Sequence, residues 1–202
     1  MKKLLILLLF PLISNFAQPD FSAGMGISFV SAPDFRDYIN YNFGQGNQLA
    51  TFNSVVEFFG EVDFPVNEQW DVGFEYAINI FSYNTPIFGT GIYEISYNQH
   101  MPSALLYYVI KGEGYKIKLG GGAGYRYISL DEKIVQKANY TTSGFGMLLR
   151  AQGLTLLSGN LYAYIGGDMR LDFPSEIVRN QTDNIKLNSL AFGVKLGVSY
   201  LF

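Results

Sequence analysis

The chain of 202 residues has no cysteine, one histidine and one tryptophan. Missing thiols exclude a disulfide scaffold and a cysteine-ligated metal centre. A single histidine excludes a histidine-rich metal site. Charge is scarce as well: 15% of residues are charged, and 14 basic against 17 acidic side chains leave no basic footprint for nucleic acid. No apolar run reaches the ~18 residues a membrane helix needs. The chain is instead 49% hydrophobic and 16% aromatic, with 15 Tyr, 17 Phe and 22 Gly, and its mean hydropathy is +0.12. So many aromatics with so little charge exclude a disordered chain.

The first residues read as a secretory signal peptide. Lys2 and Lys3 precede ten apolar residues, 4–13, and Ala17 offers a small residue at the cut. Cleavage after Ala17 divides the chain into a signal peptide, 1–17, and a mature domain, 18–202. The mature chain then carries 12 basic and 17 acidic residues, net −5. Its lack of cysteine suits a cell envelope in which stray thiols would be oxidised.

Beyond residue 18 the dominant pattern is alternation with period two, the mark of β-strands. Eight strands are expected, near 20–30, 56–64, 70–80, 92–110, 115–127, 143–152, 161–171 and 190–202. The last is the clearest: Leu190, Phe192, Val194, Leu196, Val198, Tyr200 and Phe202 share one face, while Ala191, Gly193, Lys195, Gly197 and Ser199 share the other. Pro102 interrupts the fourth strand and predicts a bulge or bend near 100–102, which leaves that strand's facing open. The connections alternate in length. Short ones lie at 65–69, 111–114 and 157–160, and long ones at 31–49, 83–91, 131–139 and 173–186. Short turns at one end and long loops at the other mark an eight-stranded antiparallel up-and-down transmembrane β-barrel with both termini on the short-turn side.

Facing separates this class from soluble eight-stranded barrels. The large apolar side chains form continuous faces suited to lipid. The opposite faces are small or charged and suit a lumen just wide enough for side chains to fill. That lumen is expected to pair Glu57, Glu61, Glu75 and Asp168 with Lys116, Lys118, Arg126, Arg150, Arg170 and Lys195. Pairing offsets the cost of burying charge. Aromatic girdles are expected at Phe64, Trp70, Tyr108, Tyr115, Tyr200 and Phe202 below, and at Phe81, Tyr93, Tyr97, Tyr127 and Tyr140 above.

With Phe202 terminal and Tyr200, Val198, Leu196 and Val194 at every second place before it, the chain end resembles the insertion signal of bacterial outer-membrane barrels. Residues 18–202 resemble the small eight-stranded barrels of the OmpX, OmpA-barrel and OmpW type. The resemblance implies an outer-membrane location, contact with outer-membrane lipid and lipopolysaccharide, and assembly by the barrel-assembly machinery. A carboxy-terminal peptidoglycan-binding domain of the OmpA kind is not expected.

Three roles follow for such a barrel. The first is structural or surface-interaction, through extracellular loops. Loop 31–49 carries Phe35, Tyr38, Tyr41 and Phe43 among polar residues, suited to a surface protein or glycan ligand. The second is a narrow channel or transporter for small solutes or hydrophobic molecules. A wide pore is not expected, because open channels come with about 16 strands. The third is lipid A chemistry. His100 has Ser103 three residues on, which a regular strand turns to the opposite face, so base and nucleophile are apposed only if a bulge at Pro102 alters the facing. No enzyme, metal, cofactor or nucleic-acid partner is expected. The glycine run 120–124 has a phosphate-loop composition but sits mid-strand, where small residues relieve crowding.

Overall fold

The alternation is realised as strands that close on themselves. The computed structural model describes residues 18–43, 48–87, 91–133, 136–178 and 184–202; the signal-peptide reading of 1–17 lies outside these. The elements are β1 (Asp20–Ser31), α1 (Pro33–Phe43), β2 (Asn53–Pro65), β3 (Trp70–Ile87), β4 (Gly91–Gly112), β5 (Tyr115–Lys133), β6 (Lys137–Ser158), β7 (Leu161–Pro174), β8 (Ile177–Val178), β9 (Asn184–Ile185) and β10 (Ser189–Leu201). Eight of them close an antiparallel barrel in the order β1-β10-β7-β6-β5-β4-β3-β2, while β8 and β9 form a separate two-stranded antiparallel sheet.

Register fixes the barrel's size. Following paired residues once round leads from Trp70 through Tyr108, Leu119, Ala151, Gly167, Val194, Ile27 and Val56 to Ile80, ten positions further along the strand of departure. Eight strands with a stagger of ten imply a tilt of about 40° and a radius of about 8 Å. Each residue then climbs about 2.5 Å, so β3 rises roughly 25 Å from Trp70 to Ile80. That is the height of the apolar band of an outer-membrane barrel.

The short turns lie where expected. Gly114 (φ 75°) and Gly159 (φ 55°) supply the left-handed residues of the turns after β4 and β6. In the turn after β2, the Asn67 side chain accepts hydrogen bonds from the backbone N–H groups of Gln69 and Trp70. On the inner face of β5, Gly120, Gly122 and Gly124 lie against the β4 backbone. A Cβ on Gly122 would come within 2.0 Å of the Ala104 carbonyl oxygen. These glycines permit the tight curl between β4 and β5 that a narrow barrel requires.

Three expectations are corrected. First, β4 has no bulge at Pro102. The register with β5 is the same on both sides, His100 opposite Tyr127 and Ser103 opposite Gly124, with Met101 and Pro102 unpaired between. Losing the proline donor removes ladder bonds without adding a residue. Second, the long loops 83–91 and 131–139 are largely strand: β3 and β4 pair out to Ile87 and Gly91, and β5 and β6 out to Lys133 and Lys137. Strands β3 to β6 run 18 to 22 residues, against 12 to 14 for β1, β2, β7 and β10. Third, part of loop 31–49 is helix α1.

The second correction has a simple cause. In the membrane band, large apolar side chains face out. Above it the alternation inverts: Phe81, Tyr93, Ile95, Tyr97, Ile128 and Leu130 are buried inside, while Ser82, Asn84, Glu94 and Asn98 are exposed outside. A strand with a polar outer face and no lipid to meet has a loop-like composition.

The upper girdle changes accordingly. Phe81, Tyr93 and Tyr97 point inward. The outer aromatics at that height are Phe29, Phe192, Phe173, Phe145, Tyr125 and Tyr127. The lower girdle keeps Trp70, Tyr108, Tyr115, Tyr200 and Phe202 exposed on the outer face. Val194, Leu196 and Val198 join Tyr200 on that face of β10.

Candidate functional site: a charged lumen beneath an aromatic plug

The lumen is organised in layers, because inward-pointing residues of neighbouring strands meet at like heights. The central layer gathers four carboxylates and three cations. Arg170 reaches Glu57 (2.9 Å), Glu75 (3.0 Å) and Asp168 (2.9 Å). Arg150 reaches Glu61 (2.6 Å), Glu75 (2.6 Å) and Asp168 (2.9 Å). Lys195 contacts Glu57 (2.5 Å), Glu75 (2.9 Å) and Asp168 (3.1 Å), and lies over the Phe59 ring. Glu75, from mid-β3, therefore touches all three cations.

Towards the short turns, Lys118 meets Asp63 (2.5 Å), Asp71 (2.9 Å) and Asp20 (3.3 Å), and Lys116 meets Asp71 (3.2 Å) and Asp20. Towards the loops, Arg126 pairs with Asp172 (2.5 Å), which also accepts from Gln99 (2.9 Å). The ten lumen residues named from sequence thus fall in three layers. Sequence reasoning left out Asp20, Asp63, Asp71 and Asp172. Parity was the available signal: Asp63 follows Glu61 by two, Asp71 precedes Glu75 by four, and Asp172 follows Arg170 by two. With these included, eight acids face six cations, a net of −2.

The layers are packed. Among the central charges, the side chains of Arg150, Glu61 and Glu75 are 0% exposed. Phe59, Ala77, Met101, Leu154 and Tyr164 fill the gaps between them. Tyr107 and Tyr164 direct their hydroxyls to Glu61 (3.1 Å) and Gln152 (3.0 Å). A packed interior of this kind, its charges largely paired, ties the strands together across the lumen.

The mouth is closed by α1. Pro33 occupies its first turn, where a missing N–H costs nothing, and Asp34 complements the helix dipole there. Phe35, Ile39 and Phe43 recur at spacing four on one side. Phe35 packs edge-on against Phe81 (6.2 Å) and Tyr97 (6.1 Å), and Phe43 stacks on Tyr93 (3.8 Å). Leu49, Ile177, Ile185 and Leu187 complete the cluster. Tyr38 and Tyr93 both donate to Glu132, at 3.0 and 2.9 Å.

Of the four loop aromatics expected at the surface, Phe35 is therefore buried, and Tyr38 and Phe43 are half-buried. Tyr41 alone is fully presented, at 91% exposure. Their periodicity within 33–43 was the sign of a helix with an inward face. Glu176 and Lys186 (3.0 Å) bridge the flanks of the β8–β9 pair, and their hydrogen bond raises the pKa of the Lys186 amine above its ordinary value.

On the outer face, His100 and Ser103 point to opposite sides of β4, so no histidine–serine pair forms. His100 is instead bonded to Tyr76, Oη to Nδ1 at 2.7 Å. Among the described residues, no group of three or more His, Cys, Asp or Glu is arranged to hold a metal ion.

No family model matches the sequence, and no curated protein matches it. Solved structures do. Neisserial surface protein A superposes with a TM-score of 0.57 at 12% identity, over 93% of this chain and 99% of that one. The outer membrane protein OprG from Pseudomonas aeruginosa gives 0.57 at 12% identity, over 93% and 97%. Ail of Yersinia pestis, solved in complex with the heparin analogue sucrose octasulfate, gives 0.53 at 13% identity, over 92% and 100%. The fold is that of the small outer-membrane β-barrels. At such identities the likeness carries the architecture alone. Together with the apolar outer band it puts this barrel in the outer membrane, its eight longer or shorter strands crossing the bilayer and its α1-plugged mouth at the loop end.

Proposed function

We propose that the protein is a closed outer-membrane barrel, without catalytic activity, that engages a partner at the cell surface through the sheet formed by the upper parts of β3 to β6. One observation carries this reading: the lumen is packed with paired charges and capped by α1, so the interior offers no passage while β4 continues nine residues beyond His100. At the tilt above, those nine residues stand roughly 20 Å clear of the apolar band. On their outer face a recess of about 290 Å³ is lined by Ser82, Asn84, Glu94, Ser96, Lys133 and Lys137.

The recess suits a hydroxyl-rich, uncharged glycan. Its amide and hydroxyl groups donate and accept, while Lys133 is paired with Glu94 (3.1 Å) and Lys137 with Asp131 (3.3 Å). Ail is shown with a polyanion; here the cations are neutralised by neighbouring acids, which argues against that ligand class. Within the same reading, residues 1–17 direct export. Val194, Leu196, Val198, Tyr200 and Phe202 are the face by which the assembly machinery recognises the chain, and the band contacts outer-membrane lipid and lipopolysaccharide. The lumen network serves stability.

The test is an array of neutral and sulfated glycans probed with refolded, fluorescent protein. Binding to neutral glycans, weakened at least tenfold by the double variant Ser82→Arg, Asn84→Arg, is the expected result. Binding unaffected by that variant, or confined to sulfated glycans, would overturn it.

A further inference from the structure

Tyr76 and His100 stand out on the lipid-facing surface. Both point outward, from mid-β3 and from β4, into the apolar band, where Tyr125 and Tyr127 of β5 are the neighbouring polar-tipped side chains and the Tyr127 ring lies 6.1 Å from that of His100. Polar groups in hydrocarbon are costly, and each needs a partner. The two satisfy each other through one hydrogen bond of 2.7 Å. That bond cannot use every proton. If the phenol donates to Nδ1, a neutral imidazole carries its proton on Nε2, and that N–H is spare. If Nδ1–H donates to the phenol oxygen, the phenol O–H is spare. In either arrangement the pair has one donor beyond its internal bond.

The height of the pair says what accepts it. His100 is the last outward residue of β4 before the face turns polar at Asn98, about one residue's climb below the top of the ~25 Å band. That is the depth at which acyl chains of the outer leaflet join their headgroup. Lipid there offers acceptors and few donors. Below His100 the outer face is low: Pro102 and Ala104 on β4, with Ala123 paired opposite Ala104 on β5. Tyr76 and Phe74 stand on the β3 side and Met147 on the β6 side. The trough descends about 10 Å from His100 to Ala104, close to the reach of one chain in half the band.

We infer that Tyr76 and His100 form a lipid-anchoring site: their spare donor binds an acyl carbonyl oxygen of one outer-leaflet lipid, whose chain lies along Pro102, Ala104 and Ala123. The site orders a single lipid at a fixed azimuth of the barrel, directly beneath the protruding sheet.

The single histidine makes the test specific. The mature chain, with ¹⁵N-histidine and ¹³C-tyrosine, is refolded in bilayers of diester phosphatidylcholine labelled with ¹³C at the ester carbonyls. Solid-state NMR transfer from those carbonyls is measured to the His100 ring and to the tyrosine ring carbons. Transfer at His100 or Tyr76 severalfold stronger than at Tyr125, which sits at similar height and leans towards Phe145, is expected; Tyr127 is no control, because its ring lies 6.1 Å from that of His100. In unlabelled bilayers, the ring nitrogen resonances of His100 should also shift between diester lipid and its diether analogue, which lacks carbonyls. The variant His100→Leu, which keeps the labelled Tyr76 and is confirmed as folded by heat-modifiable mobility, should weaken transfer at Tyr76 severalfold and leave Tyr125 unchanged. Equal transfer at all outer aromatics, or identical His100 resonances in diester and diether bilayers, overturns the inference.

Discussion

At the scale of single residues, the molecule is governed by what a buried charge requires. Arg170 answers three carboxylates at once, Glu57, Glu75 and Asp168. Truncating it leaves three buried carboxylates without that partner. Breaking a buried pair costs about 3–5 kcal/mol, whereas an exposed pair is worth under about 1 kcal/mol. Arg170→Ala should therefore lower unfolding stability in micelles by roughly 3–5 kcal/mol, read by urea titration. Lys137→Ala, which removes only the exposed contact with Asp131, should leave it within about 1 kcal/mol. Similar losses for both variants would mean that the lumen charges are solvated in the native barrel. Glycines matter for the opposite reason, the absence of a side chain. Gly122→Val puts a branched side chain into the Ala104 carbonyl. It should prevent the heat-modifiable gel shift of a folded barrel, while Gly60→Ala, whose added Cβ meets nothing within 4 Å, should leave it intact.

At the scale of elements, the helix in the mouth separates two kinds of closure. If plug and charge layers each block the lumen, deleting residues 33–43 should expose Tyr97 and Phe81 to solvent, seen as faster hydrogen exchange in upper β3 and β4. The same deletion should leave planar-bilayer conductance at baseline. Discrete conducting steps from this deletion would make α1 the sole barrier. How far these elements were legible follows from the same geometry. In the band, lipid outside and charge inside give each strand two contrasting faces, so β10 and the lower halves of β3 and β5 could be traced residue by residue, and Glu57, Glu75 and Lys195 assigned to the lumen side. Above the band the contrast inverts and weakens. Thr85, Asn84 and Ser82 have the composition of a loop although they pair in register with Tyr93, Glu94 and Ser96. Helix α1 was hidden for another reason. Its stripe of Phe35, Ile39 and Phe43 is only three residues long, and Tyr38 and Tyr41 between them blur it. Which acid meets which cation depends on a stagger of ten, which no local pattern encodes.

At the scale of the whole molecule, a net lumen charge of −2 and a packed interior set the expectation for transport. Refolded protein in planar bilayers at neutral pH should give no discrete channel steps, with heat-modifiable mobility confirming the fold. Salt-dependent steps of constant size would shift attention from the protruding sheet to the lumen layers. The outer surface has its own asymmetry: the polar recess and the Tyr76–His100 pair both lie on the β3–β6 side, one above the apolar band and the other within it.

The unequal strand lengths also have a mechanical meaning. A ligand held on the upper sheet would load strands tilted about 40°, so most of the pull falls along them. To extract β3 and β4, β4 must slide past β5, to which it is paired from Glu94–Lys133 down to Gly112–Tyr115. Hydrogen bonds perpendicular to the strands are then loaded side by side instead of opening one after another. The tall side of the barrel is consequently a tether whose resistance grows with its paired length, rooted in the membrane by the same bonds that shape the wall.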